Sequence, residues 1–324
     1  MSRPANPRVL PAARRWLDVG GVHLEGVTWD AAAGRVRFVD IPRGLLFDVA
    51  PDGPGTARAV QVEAPVTAVH PTTDPGRLLV ADGDGIALVT LPPSGGPPSG
   101  PPGAPVAAPA VERLADPLAG RPGIRMNDGG VSPEGRYLAG SMAYDTTPGA
   151  ACLYRLDGDG SLHTVLTGVT ISNGIDWSPD GTLCYYVDTP TRRIDVLDHD
   201  PATGALSGRR PLADVSALPG EPDGLTVDAE GHVWVAFWGG SQVCRFTPEG
   251  GLDAVVPLPV SQVTSCAFGG AGLDRLYVTT STEGLSPERL AARPGAGALF
   301  VADPGGATGR PPTPYPLMAP PPSP

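Results

Sequence analysis

One short unit recurs six times along the 324 residues, and this recurrence limits the fold more than any other feature. Aligned, the copies read EGVTWDAAAGRVRFVD, VTAVHPTTDPGRLLVAD, NDGGVSPEGRYLAGSM, NGIDWSPDGTLCYYVD, DGLTVDAEGHVWVAFW and TSCAFGGAGLDRLYVTT. Each places an apolar residue before a polar turn containing Gly, then a strand with apolar alternation. The apolar anchors are Trp29, Val69, Val131, Trp177, Val227 and Phe268. They recur at about 40 to 50 residues, apart from the longer interval between Val69 and Val131, and that is the period of a four-stranded propeller blade. A third strand follows each hairpin, as in Arg193 to Leu197 or Gln242 to Phe246, and helical periodicity is nearly absent. The pattern predicts an all-β, six-bladed β-propeller spanning residues 1–310 as a single domain. A β-sandwich would require no such period.

The long interval holds a Pro- and Gly-rich insertion, PPSGGPPSGPPGAPVAAP, from Pro92 to Pro109. The end of the chain, Pro311 to Pro324, has the same character. Too few apolar side chains offset ordering entropy in either segment, so both are expected to be extended and mobile, the tail as a disordered, frayed end.

The stretch ISNGIDWSPDG, Ile171 to Gly181, carries two turn signals around one short strand. Asn173-Gly174 suits a tight turn, yet Ser178-Pro179-Asp180-Gly181 already provides one. The repeat register explains the extra Asn. Equivalent positions on the inner strands of a propeller gather at one end of the central channel. Four residues before the anchors stand Glu25, Pro65, Asn127, Asn173, Asp223 and Thr264. Four of these six are carboxylates or carboxamides, and Gly26, Gly174 and Gly224 directly follow three of them. Gly there is expected to give close approach and an unusual φ that aims the preceding side chain inward.

Two carboxylates brought together repel unless a cation lies between them. Oxygen-only donors favour a hard divalent ion over a soft-ligand zinc site. Ca²⁺ is the first expectation, with Mg²⁺, Mn²⁺, Zn²⁺ and Fe²⁺ as alternatives.

Other chemistry is scarce. The histidines His23, His70, His163, His199 and His232 form no HxH or HExxH pair, and only His23 neighbours a ring position, where it reads as a surface or supporting residue. Asp82-Gly83-Asp84-Gly85 and Asp157-Gly158-Asp159-Gly160 lack the closing Glu and flanking helices of an EF-hand and read as hairpin turns. No GxSxG elbow, P-loop or dinucleotide fingerprint is present. A net charge of −11 and pI near 4.8 argue against a nucleic-acid partner. No run approaches a membrane span, the first residues lack the apolar core of a signal peptide, and Cys152, Cys184, Cys244 and Cys266 form no CxxC. A reduced, cytoplasmic protein with no membrane partner is expected.

At the ring residues the chain resembles the senescence marker protein, gluconolactonase and regucalcin family. The resemblance is carried by LEGVTW, RMNDGGVSPEGRYLAGSM, ISNGIDWSPDGTLCYYVDTPTRRIDVLDHD, EPDGLTVDAEGHVWVAFWGGSQVCRF, SQVTSCAFGGAGLDRLYVTT and GALF, from Leu24 to Phe300. It implies a six-bladed propeller with one divalent cation at the channel mouth, on Glu25, Asn173 and Asp223. Arg125 and Asn127 match the substrate-positioning pair. Asp145 stands where some members carry a Glu that holds sugar hydroxyls, a departure in length, and Tyr144 beside it is expected to line the pocket. Pro65 and Thr264 would close the ring without acting as ligands.

The resulting expectation is a metal-dependent lactonase opening a small sugar-type lactone, with Asp223 both ligand and base. Two alternatives stand beside it: an ester or organophosphate hydrolase on the same site, and a non-enzymatic calcium-binding regulatory propeller.

Overall fold

The computed structural model describes residues 6–51, 57–62, 65–91, 105–106 and 109–317. Among these, six antiparallel sheets follow one another along the chain, with inner strands Leu24–Asp30, Val66–Pro71, Ile124–Val131, Ser172–Trp177, Glu221–Val227 and Val263–Gly269. Each inner strand packs beside those of the neighbouring blades, and the sixth returns to the first, so the ring closes. The protein is a six-bladed β-propeller, as the repeat predicts.

Middle strands are covered on both faces by adjacent blades, which removes the period-two alternation of a half-exposed strand. Val233–Trp238 reads VWVAFW and Leu45–Val49 reads LLFDV, both buried along nearly their whole length. The outer strand Ala205–Asp214 is mostly exposed. One apolar cluster fills each interface between neighbouring blades. Trp234 meets Phe268 and Phe300 between blades five and six, for instance, and Tyr185 meets Leu225 and Phe237 between blades four and five.

The sixth blade is completed from the other end of the chain. Arg14–Asp18 pairs antiparallel with Ala298–Ala302, Arg15 opposite Phe300 and Asp18 opposite Ala298. The repeat gave no sign of this strand, because it carries no turn-strand unit of its own. A two-residue strand, Arg8–Val9, adds in parallel to the outer strand of blade five.

The anticipated turn forms after Trp177. The Gly181 N–H donates to the Ser178 carbonyl at 2.9 Å, with Gly181 at φ +72°. Of the Pro-rich insertion, residues 92–104 and 107–108 lie outside the described residues, and Pro105–Val106 pairs in parallel with Arg58–Gln61.

The segment from Pro311 was expected to fray, but as far as Leu317 it is docked. The preceding residues lead it across the propeller. Gly309 N–H donates to Leu273 O at 2.8 Å, Ala229 N–H to Thr308 O at 2.8 Å, and Arg310 Nη2 to Trp177 O at 2.5 Å. Tyr315, 5% exposed, enters the cluster between blades two and three and exchanges backbone bonds with Pro71 and Thr73. A single buried aromatic supplies the apolar area that composition alone underestimates. Residues 318–324 lie outside the described set.

These contacts fall at the far ends of the inner strands. The segment therefore straps the end of the channel opposite the strand starts, over a cavity of about 120 Å³ lined in part by His70, Asp128 and Asp176.

Candidate functional site

The inner strands share one irregularity. Pairing with the next strand slips between Glu25 and Thr28, Val66 and Ala68, Met126 and Gly129, Ser172 and Ile175, Pro222 and Leu225, and Val263 and Cys266. A bulge at the same register in blades three to six, and displaced by one or two residues in blades one and two, re-aims the side chains there. Within or beside these bulges lie the six ring residues. The glycines serve mainly by close approach. A Cβ on Gly174 would stand 2.5 Å from Leu225 N, and one on Gly224 would stand 2.4 Å from Ser265 Oγ. Only Gly26 has positive φ, +57°, so the expected backbone strain holds at one of the three.

Glu25, Asn173 and Asp223 are each 6% exposed. Burial, then the Asp128 carboxylate, pushes Glu25 up to about 8, partly offset by the Gly26 N–H and by Arg125. Asp223 is driven well above the usual carboxylate range by burial and by Glu25 and Asp128, while Asn173 and the Gly224 N–H offset part of that rise. Asp223 thus feels Glu25, and both feel Asp128.

Asn173 is oriented by a short relay. Its Nδ2 donates to Thr189 Oγ1 at 3.0 Å, and Thr189 Oγ1 donates to Pro222 O at 2.9 Å. Its Oδ1 is buried without a hydrogen-bond partner. An unpaired buried carbonyl oxygen costs about 1–3 kcal/mol, and beside two buried carboxylates it fits a hard divalent cation in donor chemistry.

Arg125 and Asn127 form a fixed pair. Arg125 Nη1 donates to Asn127 Oδ1 at 2.7 Å and to Met126 O at 2.9 Å, and Asn127 Nδ2 donates to Ser172 O at 2.8 Å. Burial lowers the Arg125 guanidinium below its usual range and the carboxylates of Glu283, Glu25 and Asp223 offset part of that, which places it between the acids and a cavity of about 470 Å³. That cavity is lined by Arg125, Tyr144, His23 and Glu283 among polar groups, and by Val22, Ile41, Pro42, Pro65 and Met142.

Asp145 is elsewhere. It is exposed, its Oδ1 accepts from Thr147 N at 3.0 Å and Thr147 Oγ1 at 2.7 Å, and these bonds hold its carboxyl below the usual range. It does not line the cavity. Thr264 Oγ1 donates to Leu24 O at 2.6 Å, which spends its hydroxyl on the scaffold, and Pro65 contributes only apolar wall.

Three groups escaped the sequence reading. Asp128 is raised to about 6 by burial and adds a third carboxylate to the axis; its signal is that the equivalent position elsewhere holds Gly or another uncharged residue. Glu283 follows blade six's second strand, outside the repeat register, and hydrogen-bonds to His23. Trp238 stacks on His23 with centroids 5.3 Å apart. A separate group, Asp228, Glu230 and His232, has ligand atoms within 4.8 Å of one another. Arg245 bonds all three, at 2.7, 2.7 and 3.1 Å, and fills the place a cation would take.

Among the described residues no helix is long and apolar enough to cross a membrane, and the four cysteines are free thiols.

The geometry defines a propeller with clustered, buried acids on its axis and a fixed Arg–Asn pair beside them. The chain belongs to the SMP-30/gluconolactonase/LRE-like family, whose sequence model matches residues 24–282. It is 35% identical to regucalcin of Oryctolagus cuniculus over 90% of this chain and 94% of that one. It is 34% identical, over 88% of this chain and 92% of the other, to a Bacillus subtilis (strain 168) protein named provisionally as the sugar lactone lactonase YvrE. Among solved structures it superposes on a calcium-binding protein, regucalcin, from Agrobacterium tumefaciens with a TM-score of 0.84 and 29% identity, covering 96% of this chain and 99% of that one.

Proposed function

We propose that this protein is a metal-dependent lactonase that opens a small, sugar-type lactone, with one divalent cation on Glu25, Asn173 and Asp223. The observation that carries the reading is the unpartnered, buried Asn173 Oδ1 beside two buried carboxylates of raised pKa. Three oxygen donors favour Ca²⁺, and Mg²⁺ or Mn²⁺ suit the same set. The gluconolactonase in the family description and the name of the B. subtilis relative support a lactone as substrate. The free thiols favour a reducing compartment such as the cytoplasm.

A cation bound there supplies Lewis acidity toward a carbonyl oxygen. The protein's own part is orientation and proton movement. With Arg125 Nη1 spent on Asn127 and Met126, its Nη2 and Nε have no partner among the described residues and can donate to the lactone oxygens. Asn127 fixes that guanidinium through Ser172. Asp223, ionised when a cation is bound, would take a proton from the attacking water as the water oxygen bonds to the carbonyl carbon. The ring oxygen leaves with that proton when the acyl C–O bond breaks, giving a hydroxy acid.

A second reading, a calcium-binding regulator without turnover, draws on the calcium-binding description of the A. tumefaciens structure. The Arg125–Asn127 pair favours the enzyme, because cation binding alone needs no such pair.

Opening of D-glucono-δ-lactone, measured beside an aryl ester and a phosphotriester before and after chelation, separates these readings. Loss of lactone opening on chelation and in Asp223→Ala supports the proposal. Undiminished activity after complete metal removal overturns it.

A further inference from the structure

The geometry points to Glu283 as the residue that selects a substrate bearing ring hydroxyls. This rests on the lactone reading above and adds to it the residue that recognises the ring hydroxyls.

Glu283 is outside the ligand ring, in the loop after Arg275–Thr280. Its N–H donates to Ser281 Oγ at 2.9 Å, which sets the turn of that loop. One carboxylate oxygen, Oε2, hydrogen-bonds to His23 Nδ1. The His23 ring is in turn stacked on Trp238 at 25° between planes. A carboxylate on a loop would ordinarily sample many rotamers; this one is held by a chain of contacts rooted in blade five. Its side chain nonetheless remains 63% exposed, so Oε1 is open to a ligand in the cavity.

The rest of the wall makes that oxygen decisive. Val22, Ile41, Pro42, Pro65 and Met142 present apolar surface, Arg125 offers donors only, His23 Nδ1 is engaged by Glu283, and the Tyr144 hydroxyl is a neutral group beside the one charged acceptor. Asp145, the carboxylate expected to hold sugar hydroxyls, is occupied by Thr147 outside the wall. Glu283 is therefore the one carboxylate lining this cavity among the described residues. A fixed carboxylate accepts hydroxyl protons in charge-assisted hydrogen bonds, and a site so built discriminates against analogues that lack the hydroxyl.

The test compares D-glucono-δ-lactone with δ-valerolactone, which has the same ring without hydroxyls, in the wild-type protein and in Glu283→Gln, Glu283→Ala and Glu283→Asp. Loss of the charge should lower kcat/KM for the hydroxylated lactone about tenfold, chiefly through KM, in the Gln and Ala proteins. The Asp protein should recover part of it, and δ-valerolactone should be opened equally well by all four. An equal fall on both lactones, or no change on either, overturns the assignment. Should the wild-type protein open neither lactone, the lactonase reading fails by itself, and binding decides the role of Glu283. In that arm 1,5-anhydro-D-glucitol, a hydroxylated ring with no carbonyl, is titrated and followed by NMR. About tenfold weaker binding to Glu283→Gln than to wild type supports the assignment; equal binding, or none to wild type, overturns it.

Discussion

Thr189 Oγ1 accepts a hydrogen bond from Asn173 Nδ2 at 3.0 Å while donating to Pro222 O at 2.9 Å. The hydroxyl fixes the orientation of the Asn173 amide through its nitrogen, and Oδ1 is left without a protein partner. Thr189→Val keeps the shape and removes the relay. Cation affinity measured by Ca²⁺ titration calorimetry should fall about five- to tenfold, corresponding to one lost hydrogen bond of about 1 kcal/mol. Unchanged affinity would mean that the amide is oriented by other contacts.

Cation loading should reverse a pH trend. Glu25 is raised by burial and by Asp128 to about 8, above an ordinary value of 4.5. A raised carboxyl stabilises the fold fully below the unfolded value and loses that contribution as pH rises through the folded one. The metal-free protein should therefore lose thermal stability between pH 4.5 and about 8. Saturating Ca²⁺ should raise the Tm most at the alkaline end of that range, because it binds the ionised folded form. Melting curves with chelator and with Ca²⁺ at several pH values measure both slopes.

A second pH effect lies far from the site. His199 Nδ1 donates to Gly181 O at 2.6 Å, and Nε2 lies 3.2 Å from Glu134 Oε1. Burial opposes the imidazolium, but Glu134 and the Gly181 carbonyl outweigh it and raise His199 above 6.5. Glu134 is in turn held down at about 2, where its bonds to His199, Ser132 and Arg136 overcome burial. The His199 contribution is complete below pH 6.5 and is lost as pH rises through its raised value; that of Glu134 is complete above 4.5 and is lost as pH falls toward 2. Glu134→Gln should flatten the loss of Tm above pH 6.5, and a slope equal to wild type would remove His199 as its source.

The strap across the far end should matter for stability. Tyr315→Ala empties a place between blades two and three and should cost about 3–5 kcal/mol by urea unfolding, the range for a buried aromatic. A change below about 1 kcal/mol would show that the cluster closes over the gap.

What the sequence made legible was whatever repeats. Glu25, Asn173 and Asp223 share one register, so six copies of a weak pattern add up to a ring, and Trp177 and Phe268 mark the same interfaces in different blades. What occurs once was hidden. The strand Arg14–Asp18 pairs with residues some 280 positions away, and no local pattern encodes that. Glu283 and His23 meet between blades six and one through a loop, not a strand position. Asp145 matched its place in the resemblance, yet Thr147 two residues on captures its carboxylate, as short Asp side chains in turns allow. Glycine's role was half legible: proximity at Gly174 and Gly224 needs a neighbouring blade, which one strand's sequence does not contain.

The pairing of Arg14–Asp18 with Ala298–Ala302 also dictates when this molecule can be finished. The first of these strands is made some 280 residues before its partner, so through that interval the outer member of blade six exists without the strand it pairs with and carries an unpaired edge. The circle is fastened only once Ala298–Ala302 has emerged to receive that early strand.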